Sequence, residues 1–178
     1  MIATLTRTSI TLEEFLANPP EHQEWINGEI TETTAMTIRH SKIQAKLSRL
    51  LGNYVIDSQL GGDVYTELPC RTTKQGRRPD VAYLTAELVA ISDDNSSLPQ
   101  SPSLVAEIAS PADSAEDLFA KASEYLASGC EEVWLVLPEN QRVFIITKEQ
   151  TLAFNIGDNI TTQKVLQGFT ISLQNLFS

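Results

Sequence analysis

Cysteine is scarce in this sequence, and its scarcity limits the kinds of site that the chain can hold. Only Cys70 and Cys130 occur among the 178 residues, too few for a disulfide framework. Their separation matches no common metal-binding or redox spacing. We therefore interpret both as reduced thiols that pack as small buried hydrophobic side chains.

Long hydrophobic runs are also missing. Residues 1–18 mix threonine, arginine and glutamate with short apolar pairs, a pattern that fits neither a signal peptide nor a membrane span. The pattern predicts a cytoplasmic protein with no membrane partner. Because 42% of the residues are hydrophobic and the composition does not shift along the chain, we expect one domain over residues 1–178.

Positive charge is in short supply as well. Thirteen Lys and Arg residues against 23 Asp and Glu residues give a net charge of −10, which argues against a protein that coats nucleic acid with its whole surface. However, eight of the 13 basic residues lie in residues 39–49 and 71–78, and neither window contains an acidic residue. Two basic strips of this kind can hold a polyanion locally.

Two short β-rich segments each carry one acidic residue that apolar burial does not explain. In the first, Pro79 suits the first residue of a strand and Asp80 follows it. In the second, Glu107 interrupts the apolar run of residues 104–109, which is typical of a strand covered on both faces. A carboxylate there is costly unless a cation or hydrogen bonds stabilise it. Two such carboxylates on adjacent strand ends would make a divalent-metal site.

The Asn-Gly pair at residues 27–28 separates two β-capable segments. It predicts a two-residue hairpin turn, because both turn positions need a positive φ. Such a turn places Glu24 opposite Thr31 and puts Glu24 and Glu29 on one face of the hairpin. Two interpretations stay open: both carboxylates are solvated, or one of them reaches a functional site.

Residues 39–57 have the clearest amphipathic pattern in the chain and predict a helix. Its apolar arc consists of Ile43, Leu47, Leu50, Leu51 and Tyr54. The flanking arc carries Arg39, Lys42, Lys46 and Arg49, which are candidates for phosphate contacts. His40 falls within the apolar arc at the first turn and therefore points toward the body of the protein. A buried core histidine and a site residue remain equally open interpretations.

A second helix is predicted over residues 114–128. Ser114 suits the N-cap with an acidic residue three positions later, and Gly129 suits the left-handed position that ends a helix. Lys121 lies at the edge of the apolar stripe, where its stem can lie along a sheet while the ammonium extends beyond it.

The rest of the chain is predicted from local patterns. Residues 71–78 form a basic loop, and residues 85–103 form a polar surface loop that includes Asp93, Asp94 and Asn95. Strands are expected over residues 133–137 and 142–147, with further short strands in the tail and a terminal Leu-Phe that packs.

The order of these elements is specific. It is a helix (40–57), three strands (63–68, 80–84 and 104–109), a helix (114–128) and a strand (133–137). This order, with an acid at the start of the second strand and another in the third, is similar to the core of the PD-(D/E)XK nuclease superfamily. More narrowly, the sequence resembles the Uma family of putative restriction endonucleases over nearly its whole length. The segments that carry the resemblance are residues 24–29, His40, residues 78–83, residues 106–111, Lys121 with Tyr125, and residues 129–136.

The resemblance implies an α/β fold of the restriction-endonuclease-like type. Its αβββαβ core would span about residues 39–147 and contain a central mixed sheet flanked by helices. An N-terminal helix and β-hairpin (about 10–36) would precede this core, and added strands (about 150–178) would follow it.

The resemblance also implies roles for particular residues. Asp80 and Glu107 would bind Mg²⁺, with Mn²⁺ as an alternative. The superfamily motif has a lysine two residues after the second acid, but here that position is Ala109; the narrower family implies that Lys121 replaces it. His40 would ligate the metal or orient the attacking water, and Glu24 would add a carboxylate.

The function implied is metal-dependent hydrolysis of phosphodiester bonds in DNA, more than in RNA. Arg77 and Arg78 would join the basic arc of the first helix in binding backbone phosphates. One alternative is an inactive nuclease fold that serves as a binding or assembly module, which the net charge of −10 and Ala109 favour. A hydrolase of a smaller phosphoester is a weaker alternative, and homodimer formation stays open.

Overall fold

The computed structural model describes residues 10–33, 36–92 and 96–178. The first part of the chain contains α1 (Leu12–Ala17), β1 (Gln23–Ile26), β2 (Glu29–Glu32), α2 (Ile38–Ser58), β3 (Asp63–Thr66), β4 (Cys70–Arg71), β5 (Gly76–Arg77), β6 (Val81–Leu84) and α3 (Ala86–Ile91). The second part contains β7 (Leu104–Ile108), α4 (Ala115–Ala127), β8 (Glu132–Leu137), β9 (Arg142–Ile146), β10 (Thr151–Asn155), β11 (Asn159–Thr161), β12 (Thr170–Ser172) and α5 (Leu173–Phe177).

The centre of the fold is a six-stranded mixed sheet with the order β10-β9-β8-β7-β6-β3. β7 and β8 run parallel, whereas the other neighbouring strands of this sheet run antiparallel. A parallel pair needs a crossover connection, and α4 supplies it. The predicted α/β class and αβββαβ order are therefore confirmed.

Helices cover both faces of this sheet. On one face, Ile43, Leu47 and Leu51 of α2 pack against alternate residues of the strands. On the other face, Leu118, Ala122, Tyr125 and Leu126 of α4 form a second core. Successive strand residues point to opposite faces, so β7 sends Leu104, Ala106 and Ile108 toward α2 and sends Val105 into the core of α4. The same alternation turns the side chain of Glu107 toward α4.

A second, smaller sheet has the order β2-β1-β5-β4. Its hairpin has the predicted register, with Glu24 opposite Thr31 and Ile26 opposite Glu29. The turn residues Asn27 and Gly28 have φ values of 51° and 93°, as the predicted turn requires. α1 packs closely on this sheet, because a Cβ added at Gly76 would lie 2.6 Å from the ring of Phe15.

Two predicted loops differ from the structure. The basic loop contains β4 and β5, because residues 70–71 pair with residues 76–77 and Gly76 pairs with Trp25 of the hairpin. The region 85–103 contains α3, whose first turn is capped by Thr85. Leu98 in this region is buried against Cys70, so the region is not a fully exposed loop. The predicted Asp93, Asp94 and Asn95 lie outside the described residues.

The tail completes the core on the α2 face. β11 and β12 form a hairpin, and Ile160, Ile171, Leu173 and Leu176 pack into the same cluster as α2. The predicted short strands are confirmed, as is the packing of the terminal Leu-Phe. Among the helices in the described part of the chain, none combines the length and hydropathy needed to cross a bilayer.

Candidate active site

A cavity of about 700 Å³ lies between the small sheet, the first turn of α2, the helix α4 and the ends of β6 and β7. Eight carboxylates line it: Glu24, Glu32, Glu67, Asp80, Glu107, Asp113, Asp117 and Glu124. Arg77, Arg78 and Lys121 are its Lys and Arg side chains, so its formal charge is −5 with the two lining histidines neutral. A bare polyanion would be repelled from such a cavity.

Asp80 lies immediately before β6, at the end of the sheet where β7 finishes. Val81 pairs with Ala106 in an antiparallel register, so one step further brings Asp80 beside Glu107. One carboxylate oxygen of Asp80, Oδ2, accepts the N–H of Ile108 at 2.6 Å. The other, Oδ1, lies 2.9 Å from Nε2 of His40. The carboxylate of Asp80 is therefore held between α2 and β7.

Glu107 is buried on the α4 face of β7. Its Oε1 accepts the hydroxyl proton of Tyr125 at 2.9 Å, and its Oε2 accepts a hydrogen bond from Lys121 at 3.1 Å. Burial raises the pKa of Glu107 to about 7; the charge of Lys121 opposes this shift, and the charges of Asp80 and Glu24 act with it. A neighbouring carboxylate is expected to raise the pKa in this direction, because two like charges disfavour ionisation.

Lys121 extends from α4 into the cavity. Its ammonium lies 3.1 Å from Oε2 of Glu107 and 3.0 Å from Oε1 of Glu24. Burial would lower the pKa of Lys121, but the two carboxylates outweigh burial and raise it above its usual value. The side chain is therefore protonated at neutral pH and can serve as a hydrogen-bond donor and a fixed charge.

The structure separates the two hairpin glutamates. Glu24 is buried, lines the cavity and accepts the N–H of Arg78 at 3.0 Å. Burial raises the pKa of Glu24, but the charges of Lys121 and Arg77 reverse the shift and lower it overall. Glu29 is exposed and does not line the cavity. Of the two open interpretations, the geometry matches one glutamate reaching the site.

His40 is buried in the first turn of α2 beside Asp80. Burial lowers the pKa of His40, but its hydrogen bond to Asp80 and the charges of Asp80, Glu67 and Glu107 raise it overall. Its Nδ1 is buried and has no hydrogen-bond partner among residues 10–33, 36–92 and 96–178. This placement keeps the imidazole next to Asp80, where it can orient that carboxylate.

The predicted phosphate contacts divide into two groups. Arg77 is not on an exposed loop: it is an inner residue of the small sheet, and its guanidinium pairs with Glu24 and Glu124. Arg78 donates to the backbone oxygens of Glu67 and Pro20. Both guanidinium groups therefore bind partners within the protein, because the strand pairing of β4 and β5 draws this segment against the cavity wall.

On α2, two of the four basic residues are also engaged. Arg39 pairs with Glu139 at 2.9 Å, and Lys46 donates to the backbone oxygens of Asn175 and Ser178 at 2.6 and 2.9 Å. Lys42 and Arg49 are exposed. Lys42 and Arg49 are therefore the members of this arc best placed to meet a ligand from solvent.

Glu67 was not anticipated from the sequence. The predicted strand included it, but β3 ends at Thr66 and Glu67 adopts a left-handed conformation with a φ of 53°. Gln44 donates both to Oε1 of Glu67 and to the backbone oxygen of Asp80, each at 3.0 Å. Burial and then the charge of Asp80 raise the pKa of Glu67. An acidic residue near the end of a predicted strand was the only signal for Glu67 in the sequence.

The acidic side chains of the cavity could hold a metal ion only if their number and arrangement suit one. No group of three or more His, Cys, Asp and Glu side chains among the described residues is arranged as a metal cage. Asp80 and Glu107 nevertheless offer two hard oxygen donors on adjacent strand ends, and Mg²⁺ commonly uses one or two carboxylates together with water and substrate phosphates. The pair therefore fits a divalent-metal site of this open kind.

Comparison with known proteins places the chain in a family. The model of the Uma2 family, described as a putative restriction endonuclease, matches residues 11–174. A crystal structure of a putative nuclease of the DUF820 family from Anabaena variabilis ATCC 29413 has a TM-score of 0.81 at 24% identity, covering 94% of this chain and 97% of that chain. That likeness shows a shared fold. No curated protein matches the sequence. Because the family model spans nearly the whole chain, the protein belongs to the Uma2 family of putative restriction endonucleases.

Proposed function

We propose that this protein is a metal-dependent endonuclease that hydrolyses phosphodiester bonds in DNA. The observation that carries the proposal is that Asp80 accepts the N–H of Ile108, the residue after Glu107 on β7, and that the ammonium of Lys121 lies against Glu107. Hydrolysis of a phosphodiester needs a positioned water and positive charge close to the phosphate. A cation held by the two carboxylates, together with Lys121, would supply both requirements at one wall of the cavity.

Asp80 and Glu107 would hold Mg²⁺, or Mn²⁺ in its place, which when bound supplies positive charge to the phosphate oxygens and acidifies the attacking water. Lys121 is protonated and so cannot serve as the base at neutral pH. Its ammonium instead faces the phosphate, donates to the attacking water and stabilises the charge that grows on the phosphate oxygens. The water oxygen bonds to phosphorus, the bond to the leaving oxygen breaks, and the proton lost by the water is balanced by the proton that the leaving oxygen takes up from solvent.

The charge of the cavity supports a metal requirement. Its eight carboxylates exceed its three Lys and Arg side chains by five, and a phosphate entering without added cations would meet net repulsion. We therefore expect cleavage of DNA in Mg²⁺ or Mn²⁺ and none in chelator. The experiment is incubation with single-stranded, duplex and branched DNA under each condition, with matched RNA to test the choice of nucleic acid.

The outcomes of this assay separate the proposal from its alternatives. Metal-dependent cleavage of RNA alone would replace DNA as the substrate. Binding of nucleic acid without cleavage under every condition would favour the inactive binding module. Hydrolysis of a small phosphodiester without action on any nucleic acid would favour the remaining alternative, a hydrolase of a smaller phosphoester.

A separate prediction concerns the basic face of α2. Changing Lys42 and Arg49 together to Gln should weaken binding of all DNA sequences by a similar factor, because phosphate contacts carry no sequence information. Each lost contact should lower the slope of log affinity against log salt by about 0.9 for duplex DNA. The measurement is binding to unrelated duplexes over a range of salt concentrations. An unchanged slope would show that this face does not contact the DNA.

A further inference from the structure

Four ion pairs form a continuous chain along one wall of the cavity. Glu107 pairs with Lys121 at 3.1 Å and Lys121 pairs with Glu24 at 3.0 Å. Glu24 then pairs with Arg77 at 3.2 Å, and Arg77 pairs with Glu124 at 2.5 Å. The charges alternate from one residue to the next. The proposed function gives Lys121 a role in stabilising charge on the phosphate, but it gives no role to Arg77 or Glu124.

The orientation of Glu24 is determined by its neighbours on both sides. Its Oε1 accepts from Lys121 and from the backbone N–H of Arg78, at 3.0 Å each. Its Oε2 accepts from Arg77 at 3.2 Å. Because Glu24 is buried, an oxygen left without a partner would be costly, and the carboxylate would turn to recover one. Because Arg77 bonds Oε2, the carboxylate of Glu24 keeps its other oxygen, Oε1, directed at Lys121.

The other end of Arg77 is anchored on α4. Its Nε donates to both carboxylate oxygens of Glu124, at 3.1 and 3.2 Å, and its Nη2 donates to Oε2. Thr72 donates its hydroxyl proton to Oε1 of the same carboxylate at 2.5 Å. Glu124 follows Lys121 by three residues, so it lies on the same side of the helix. The rigid fork of Arg77 thus ties α4 to the sheet that carries Glu24.

We infer that Arg77 is a positioning residue for Lys121, acting through Glu24 and Glu124, and not a phosphate contact. The inference rests on the proposed function. A lysine carried by a helix has a flexible four-carbon stem and could collapse onto Glu107 alone. Glu24, held by Arg77, shares the ammonium, which lies almost equally far from Glu24 and Glu107, at 3.0 and 3.1 Å. Shared in this way, the ammonium stays directed at the phosphate and does not take the place of a cation at Glu107.

The test compares Arg77→Met with Arg77→Lys. Met removes the charge and keeps the apolar stem, whereas Lys keeps the charge but cannot form the fork. In both variants we expect kcat per folded molecule to fall by about 10-fold to 10²-fold, the loss typical of a misplaced catalytic group. KM and the salt dependence of DNA binding should stay close to wild type. Lys164→Met is the matched control, because it breaks the Lys164–Glu149 pair of 3.0 Å outside the cavity.

A second readout does not depend on activity. The rate at which acetic anhydride acylates Lys121, measured by peptide mass spectrometry relative to exposed Lys148, should rise in Arg77→Met because the ammonium loses its fixed partner. An unchanged relative rate would overturn the inference. If Arg77→Met does not fold, the same two readouts on Arg77→Lys decide.

The remaining outcomes are distinct. A wild-type kcat per folded molecule would overturn the inference, even if the melting temperature falls, because Arg77 would then serve the fold alone. A raised KM with a shallower salt slope would also overturn it, since Arg77 would then contact phosphate. If the wild-type protein cleaves no nucleic acid, the proposed function fails, and the acylation rates still decide whether Arg77 positions Lys121.

Discussion

Glu107→Gln should lower metal-dependent cleavage of DNA by about 10³-fold or more, and Asp80→Asn should do the same. Each change replaces a carboxylate with an amide of nearly the same size that carries no charge. Because the proposed metal site has only these two carboxylates from the protein, either loss removes half of its fixed negative charge. Cleavage rates at saturating Mg²⁺ would measure the effect, with circular dichroism melting to establish that each variant is folded.

Glu132 offers a matched control for this experiment. Like Glu107 it is a buried glutamate, and it lies on the neighbouring strand β8 outside the cavity. Its carboxylate accepts from the indole of Trp134 and the backbone N–H groups of Gln163 and Lys164. Glu132→Gln should lower stability and leave cleavage per folded molecule unchanged. Wild-type cleavage by either Glu107→Gln or Asp80→Asn would move the active site elsewhere in the protein.

Lys121→Met should lower turnover by about 10²-fold or more, with little change in the affinity for DNA. Met keeps the apolar stem against the stripe of α4 and removes only the ammonium. If that ammonium stabilises charge that grows in the transition state, its loss affects kcat and not the ground-state complex. Single-turnover kinetics and equilibrium binding in Ca²⁺ would separate the two quantities.

Lys148→Met is the control for this change, because Lys148 is an exposed lysine outside the cavity. It should cleave DNA at the wild-type rate. If Lys121→Met turned over at the full rate, the assignment of Lys121 as the replacement for the motif lysine missing at position 109 would be wrong. A loss of DNA affinity without a loss of turnover would instead make Lys121 a binding residue.

Most elements of the fold were predictable, because their signals are local. The Asn-Gly turn predicted both the hairpin and its register, since only a two-residue turn with positive φ values fits there. The apolar arc of α2 and the capping residue Ser114 of α4 marked two helices to within one or two residues. Asp80 and Glu107 stood out because each carboxylate interrupts or borders an otherwise apolar strand.

The partners of the charged residues were not predictable in the same way. Arg77 lies in a basic window of the sequence and was predicted to face phosphate. In the structure it is half-buried between Glu24 and Glu124, which are 53 and 47 residues away along the chain. Glu67 was missed because its importance depends on Gln44 and Asp80, which only the fold brings to it.

The sequence by itself determined the order of helices and strands, the hairpin register and the presence of two isolated carboxylates, because periodicity, turn conformation and burial act over a few neighbouring residues. Only the tertiary structure decided which charges meet. The alternation of β7 turns Glu107 toward α4, the crossover brings Lys121 to it, and the small sheet adds Glu24 and Arg77. Ion pairing is decided by distance in space, and in this fold those distances are set by the packing of two sheets and two helices.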